Sequence, residues 1–157
     1  MADDSAEHPP IVAADVARGV CRLFHHMGAA TLVEVPLRGG RRADVVAVDA
    51  RGEISICEIK VSLADLRGDA KWRDYRDFAD RFFWAVPAPL AGVLDGPGFD
   101  PDSCGVIVAD RFAAAVMREP VSMPLNAARR KTEVLRFARL AASRLQRLGD
   151  PFLDELV

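Results

Sequence analysis

Apolar positions change their period several times along this chain, and each change marks an element. Val12, Val16, Val20, Leu23 and Met27 recur at helical spacing, so residues 11–27 are expected to form a helix, with Gly28 as its stop. Residues 31–35 read as a short strand ended by Pro36. Residues 45–48 and 54–59 are apolar runs joined by a polar segment ending in Gly52 and Glu53. A three-residue loop at Ala50 to Gly52, with Gly52 at positive φ, makes them a hairpin. That register pairs Asp49 with Glu53 and sets Asp44 opposite Glu58. Alternation then predicts Asp44, Glu58 and Lys60 on one face.

Residues 63–78 read as one polar helix, with Ser62 as its cap and Leu63, Leu66, Ala70, Trp72 and Phe78 as its apolar contacts. Residues 81–86 form a buried strand closed by Pro87, and the Gly- and Pro-rich stretch 89–102 a loop. Residues 105–109 and 113–117 form a last strand pair around an Asp110-Arg111 turn, and 126–148 the longest helix. The expected fold is an α/β mixed sheet flanked by helices. Residues 1–10 are expected to be a disordered arm, and 11–157 a single domain.

Composition narrows the function classes. A formal net charge of −2 gives no global attraction to nucleic acid, so any such binding must come from local patches. Cys21, Cys57 and Cys104 are scattered without metal spacing and read as reduced thiols. The acidic, polar beginning and the lack of a long apolar run point to a cytoplasmic protein with no membrane partner.

The chemistry concentrates at the open end of the hairpin. Two neighbouring carboxylates, Asp44 and Glu58, repel unless a divalent cation lies between them, and Mg²⁺ or Mn²⁺ suits such hard oxygen ligands. Lys60 can orient or deprotonate a water there, or neutralise charge building on a phosphate. The competing reading is an ordinary surface ion pair. Against it, Glu58 and Lys60 end an Ile-rich strand, where unpaired charge is costly.

These residues resemble the PD-(D/E)XK nuclease superfamily, with Ala43 standing where its motif has Pro. More closely, the chain is similar to the MmcB family of bacterial DNA-repair-associated proteins. That likeness runs through Glu34-Val35-Pro36-Leu37, Gly40-Arg41-Arg42-Ala43-Asp44, Glu58-Ile59-Lys60, Asp69-Ala70-Lys71-Trp72, Tyr75 and Ala128-Arg129-Arg130. The resemblance implies a restriction-endonuclease-like fold and a role around damaged or replicating DNA. DNA and repair or translesion-synthesis proteins are the partners it suggests. It also implies metal ligation by Asp44, Glu58 and the Ile59 carbonyl, with Glu34 as a further acid.

Other positions are weighed beside this core. Glu34 lies just before the hairpin and either approaches the acids or faces solvent at a sheet edge. Lys71 and Tyr75, four apart on the expected helix, resemble the Gln-x-x-x-Tyr pair of RecB-type nucleases, or else form a solvated face. Arg38, Arg41 and Arg42 make a basic patch beside the acids. The last helix carries seven basic residues against Glu133 alone. Val134, Ala138, Ala141, Leu145 and Leu148 are expected to be its packed stripe. Arg129, Arg136 and Arg147 then fall opposite, and with Arg130 and Lys131 they are expected to meet DNA phosphates. Three functions fit: a Mg²⁺- or Mn²⁺-dependent deoxyribonuclease, a non-catalytic DNA-binding accessory of a repair complex, or a module whose basic helix binds an acidic protein.

Overall fold

A computed structural model of the protein describes residues 9–154. Helix α1 (Ala13–His26) leads into strands β1 (Ala30–Pro36), β2 (Arg42–Val48) and β3 (Ile54–Ile59). Helix α2 (Leu63–Gly68) and a 3₁₀ segment (Trp72–Phe78) follow, then β4 (Arg81–Val86). Two further 3₁₀ segments, Ala88–Asp95 and Pro97–Phe99, precede β5 (Gly105–Ala109), β6 (Ala114–Arg118) and helix α3 (Ala127–Gly149). The six strands lie side by side in chain order. The β3–β4 and β4–β5 pairs are parallel and the others antiparallel, so the sheet is mixed and flanked by helices. Residues 1–8 of the expected arm lie outside the described residues; the carbonyls of Pro9 and Pro10 accept from Arg111. Among the described residues no helix is long and apolar enough to cross a membrane.

The hairpin has the register its loop dictates: Val45 pairs with Cys57 and Val48 with Ile54, while Gly52 takes φ +81°. One face of the sheet buries Val45, Ala47, Cys57, Ile59, Phe83 and Ile107 against Val16, Val20 and Phe24 of α1. Helix α1 seats there through Gly19, where an added Cβ would stand 2.9 Å from the Ala113 carbonyl oxygen. The other face buries Val46, Ile56, Phe82, Trp84 and Val86 under Leu66, Trp72 and Phe78, with α3 closing the flank.

Two expectations for the helices are corrected. Residues 63–78 are not one helix. The chain leaves the α conformation after Gly68 and restarts as 3₁₀ at Trp72, whose indole is wedged between Phe82 and Trp84 with ring centroids 5.4 Å from each. Burying that ring outweighs continuing the helix. The stretch after Pro87 likewise winds into 3₁₀ turns, with Pro at the first or second position of each.

The packed stripe of α3 is also displaced. Val134, Phe137 and Leu140 face the core, whereas Leu145 is 70% and Leu148 84% exposed. Rotating the helix this way turns Arg129, Arg136 and Arg144 toward the domain rather than away from it. Arg129 and Arg136 flank the buried Glu133 at 3.8 and 3.2 Å. Arg130 pairs with the buried Asp80, and Arg147 with Asp154. The expected all-positive outer stripe is therefore largely consumed in intramolecular pairs, and Lys131 is the exposed exception among the residues proposed from that helix. Replacing Arg129 and Arg136 together with Gln should cost about 2–4 kcal/mol, because Glu133 is left charged and buried. Urea unfolding checks the cost, and salt titration of any DNA binding should keep its slope.

Candidate active site

The β2–β3 ladder ends at Val45 and Cys57, and the next level carries the acids. Two backbone N–H groups freed there are taken by side chains. The Asp44 N–H donates to Glu58 Oε1 at 3.3 Å, and the Ile59 N–H donates to Asp44 Oδ2 at 2.7 Å. Each acid thus grips the opposite strand and holds the fork open at a fixed width. Glu34 is level with Asp44 on the other side, since Val33 pairs with Val45 and Val35 with Ala43. Glu34, Asp44 and Glu58 form a row across three strands.

The row is not flat. Glu34 has φ +49°, a left-handed conformation that costs a side-chain-bearing residue about 1–3 kcal/mol. Its carbonyl and that of Val33 accept from Arg144 of α3 at 2.9 and 2.6 Å, which clamps the strained turn. In β2, Ala43 packs with Val46 on one face and Val45 with Ala47 on the other, so strict alternation slips at Asp44. Asp44 consequently lines a cavity on the α1 side together with Glu34 and Ile59. The expectation that Asp44 shares a face with Glu58 and Lys60 is corrected on this point; the two acids meet at the fork from either side. Glu34 is 65% exposed and pairs with Arg42 at 3.5 Å. Among the described residues no three acid, His or Cys side chains gather as a ready metal cluster.

Electrostatics distinguish the members. Burial, reinforced by the charge of Asp44, pushes the Glu58 carboxyl up to about 8. Burial also raises Asp44 above the usual carboxylate range. Burial alone would lower the Lys60 ammonium, but its hydrogen bond to Asp69 and the charges of Asp69, Glu58 and Asp44 together outweigh burial and hold it above its ordinary value. Lys60 Nζ stands 2.8 Å from Asp69 and 4.0 Å from Glu58 Oε2. A charged lysine at this place can set positive charge beside a phosphate. Lys60 answers Asp69 at the shorter distance and Glu58 at the longer one, so a single ammonium is shared between Asp69 and the acids of the fork. Two hard oxygen donors short of positive charge fit Mg²⁺ or Mn²⁺, which keep most of their waters.

On the α2 side of the fork, Arg41, Lys60 and Lys71 line an open groove of about 470 Å³ with Asp65 and Asp69. Arg41 is tied to Asp74 at 2.5 Å, while Arg38 and Lys71 are exposed. Tyr75 does not share a face with Lys71: in a 3₁₀ turn of three residues, positions four apart diverge. Its buried ring stacks on Phe82, and its hydroxyl donates to the Arg42 carbonyl at 3.1 Å, so it props the basic stretch from beneath.

Sequence reasoning missed Asp69, Asp80 and Arg144. Nothing in the spacing of Asp69 marks it as the partner of Lys60; only the fold brings the two to 2.8 Å. Asp80 is 1% exposed and accepts from the Ile54 and Leu125 N–H groups at 2.8 Å each. An acid at the entry of a strand that is apolar from Phe82 to Val86 was the signal available for it.

The family model described as DNA repair protein MmcB-like matches residues 5–152. No curated protein matches the chain. Among solved structures, SPO1766, a protein of unknown function from Silicibacter pomeroyi, is similar with a TM-score of 0.80 and 38% identity, covering 92% of this chain and 94% of that one. A repair endonuclease from Pyrococcus abyssi gives a TM-score of 0.36 and 20% identity, over 57% of this chain and 45% of that one.

Proposed function

The chain belongs to the MmcB-like family of DNA repair proteins, and we propose that it hydrolyses DNA phosphodiesters at the Asp44–Glu58 fork. The observation that carries this reading is the juxtaposition of Asp44, Glu58 and a charged Lys60 at one strand end, beside a groove bearing Arg41 and Lys71. Asp44 and Glu58 would hold Mg²⁺ or Mn²⁺, with the Ile59 carbonyl as a neighbouring oxygen and Glu34 reaching through water. The ion supplies Lewis acidity and a water of lowered pKa. Lys60 neutralises charge developing on the phosphate, and Asp69 fixes its direction. Arg38, Arg41, Arg42 and Lys71 hold the DNA backbone without reading sequence.

One observation favours an accessory role on the same fold. Both acids bond backbone N–H groups, so a protein without activity would also keep them. Incubating the protein with Mn²⁺ and single-stranded, duplex or branched DNA separates the readings. The nuclease should cut at least one form. Lys60→Ala should lower cleavage by about 10²–10³-fold while leaving DNA affinity nearly intact, since its work lies in the transition state. Wild-type protein that binds but never cuts would establish the accessory reading.

A further inference from the structure

The cavity on the α1 side has about 520 Å³ and is walled by Ala13, Ala14, Ala17, Cys21, Val33 and Ile59. Its charged groups are Arg18, Glu34 and Asp44. The helix that covers it carries larger side chains, Val16, Val20 and Phe24, into the core. Apart from Arg18, the helix positions toward the cavity are three alanines and a cysteine, and the space exists because those side chains are small. Ile59 lines both this cavity and the basic groove beyond the fork, so the two hollows adjoin at Ile59, with Asp44 on the cavity side and Lys60 on the groove side.

We propose that this cavity receives one unpaired nucleotide adjacent to the scissile phosphate, which makes DNA with unpaired bases, rather than intact duplex, the substrate class. The inference rests on the nuclease reading of the fork and deepens it. A strand whose phosphates lie along Arg41, Lys60 and Lys71 and cross the fork at Asp44 delivers its next nucleoside to the cavity. The volume falls in the range of about 300–1,000 Å³ typical of small-molecule sites. A stacked, paired base has both faces and its pairing edge occupied, and enters such a hollow only by leaving the helix. The walls hold no aromatic ring, so the base is taken up by apolar contact and without choice among the four bases. Arg18 meets the phosphate on the far side; its pair with Asp15 at 3.3 Å is solvent-exposed and yields readily.

The test compares wild type with Ala17→Phe, which fills the cavity from α1. Binding of a single-stranded oligodeoxynucleotide and of the matching duplex is measured in Ca²⁺ by fluorescence anisotropy. Emission of a 2-aminopurine placed in the single strand reports its environment. Wild type should bind the single strand at least about tenfold more tightly than the duplex and shift the 2-aminopurine emission. Ala17→Phe should bring single-strand binding down to the duplex level, erase the shift, and leave duplex binding unchanged. A folded Ala17→Phe that binds single strands like wild type overturns the proposal, as does a wild type without preference. Should Ala17→Phe fail to fold, Ala14→Leu on the exposed part of the same wall is measured identically. Cleavage of duplex with no role for the cavity defeats this inference alone, whereas absence of binding to both forms defeats the nuclease reading with it.

Discussion

Glu58→Gln should make the metal-free protein more stable at alkaline pH and at the same time remove divalent-ion binding and cleavage. The folded-state value of Glu58 is about 8, against an ordinary 4.5. A carboxyl raised on folding binds its proton more tightly in the native than in the unfolded state. Its contribution is fully present below about 4.5 and is lost as pH rises through about 8. At about 1.36 kcal/mol per unit, the difference across that window is of order 5 kcal/mol. Glutamine retains an oxygen to accept the Asp44 N–H but has no proton to lose, so the variant should lack this fall. Thermal melts from about pH 5 to about pH 9 without metal should show wild type declining and the variant level. Parallel slopes would mean that Glu58 is not the buried acid described. Titration with Mn²⁺ provides the second reading. Wild type should release a proton on binding at neutral pH, with affinity climbing up to about pH 8, and the variant should bind too weakly to measure.

Asp80→Ala should cause the largest loss of stability of any single change considered, about 3–5 kcal/mol. The Asp80 carboxylate receives two backbone N–H groups, from Ile54 and Leu125, and the Arg130 guanidinium. Its own carbonyl accepts from the Met123 N–H at 2.8 Å. It therefore joins the start of β3, the start of β4 and the segment that leads into α3. Removing the carboxylate leaves two amides without an acceptor and the part-buried Arg130 without its partner. Asp80→Asn, which keeps an acceptor but not the charge, should cost roughly half as much. Ile54 lies at the opposite end of β3 from Glu58. Mn²⁺ affinity of the surviving folded protein should accordingly match wild type, which distinguishes a fastener of the fold from a member of the site. Urea unfolding followed by tryptophan emission measures the first effect, because Trp72 and Trp84 are both buried.

Asp80 also explains part of the family likeness in physical terms. The Ala-Arg-Arg segment at the start of α3 looked in sequence like a phosphate-binding feature. Arg130 is the counter-ion of Asp80, and Arg129 lies over the Phe78 ring at 5.5 Å while pairing with Glu133. Its principal work is to fasten α3 to the sheet.

The features legible in the residues alone are local. Alternating apolar runs, a loop of fixed length and one glycine at positive φ set the β2–β3 register, and that register brings Asp44 level with Glu58 without help from distant segments. Strand β4 was equally legible, since the apolar run from Phe82 to Val86, closed by Pro87, has one economical conformation. Tertiary structure decided what depends on competition between distant segments. Helix α3 has apolar residues on two adjoining faces, and its rotation was chosen by the pairing of Glu133 with Arg129 and Arg136 and of Arg130 with Asp80. The end of α2 was chosen by the slot for Trp72 between Phe82 and Trp84. Commitment of Lys60 to Asp69 and the clamping of Glu34 by Arg144 likewise join residues far apart in the chain. Periodicity reports which face of an element is apolar, but not which of two usable faces the rest of the protein will bury, nor which distant charge will answer a buried one.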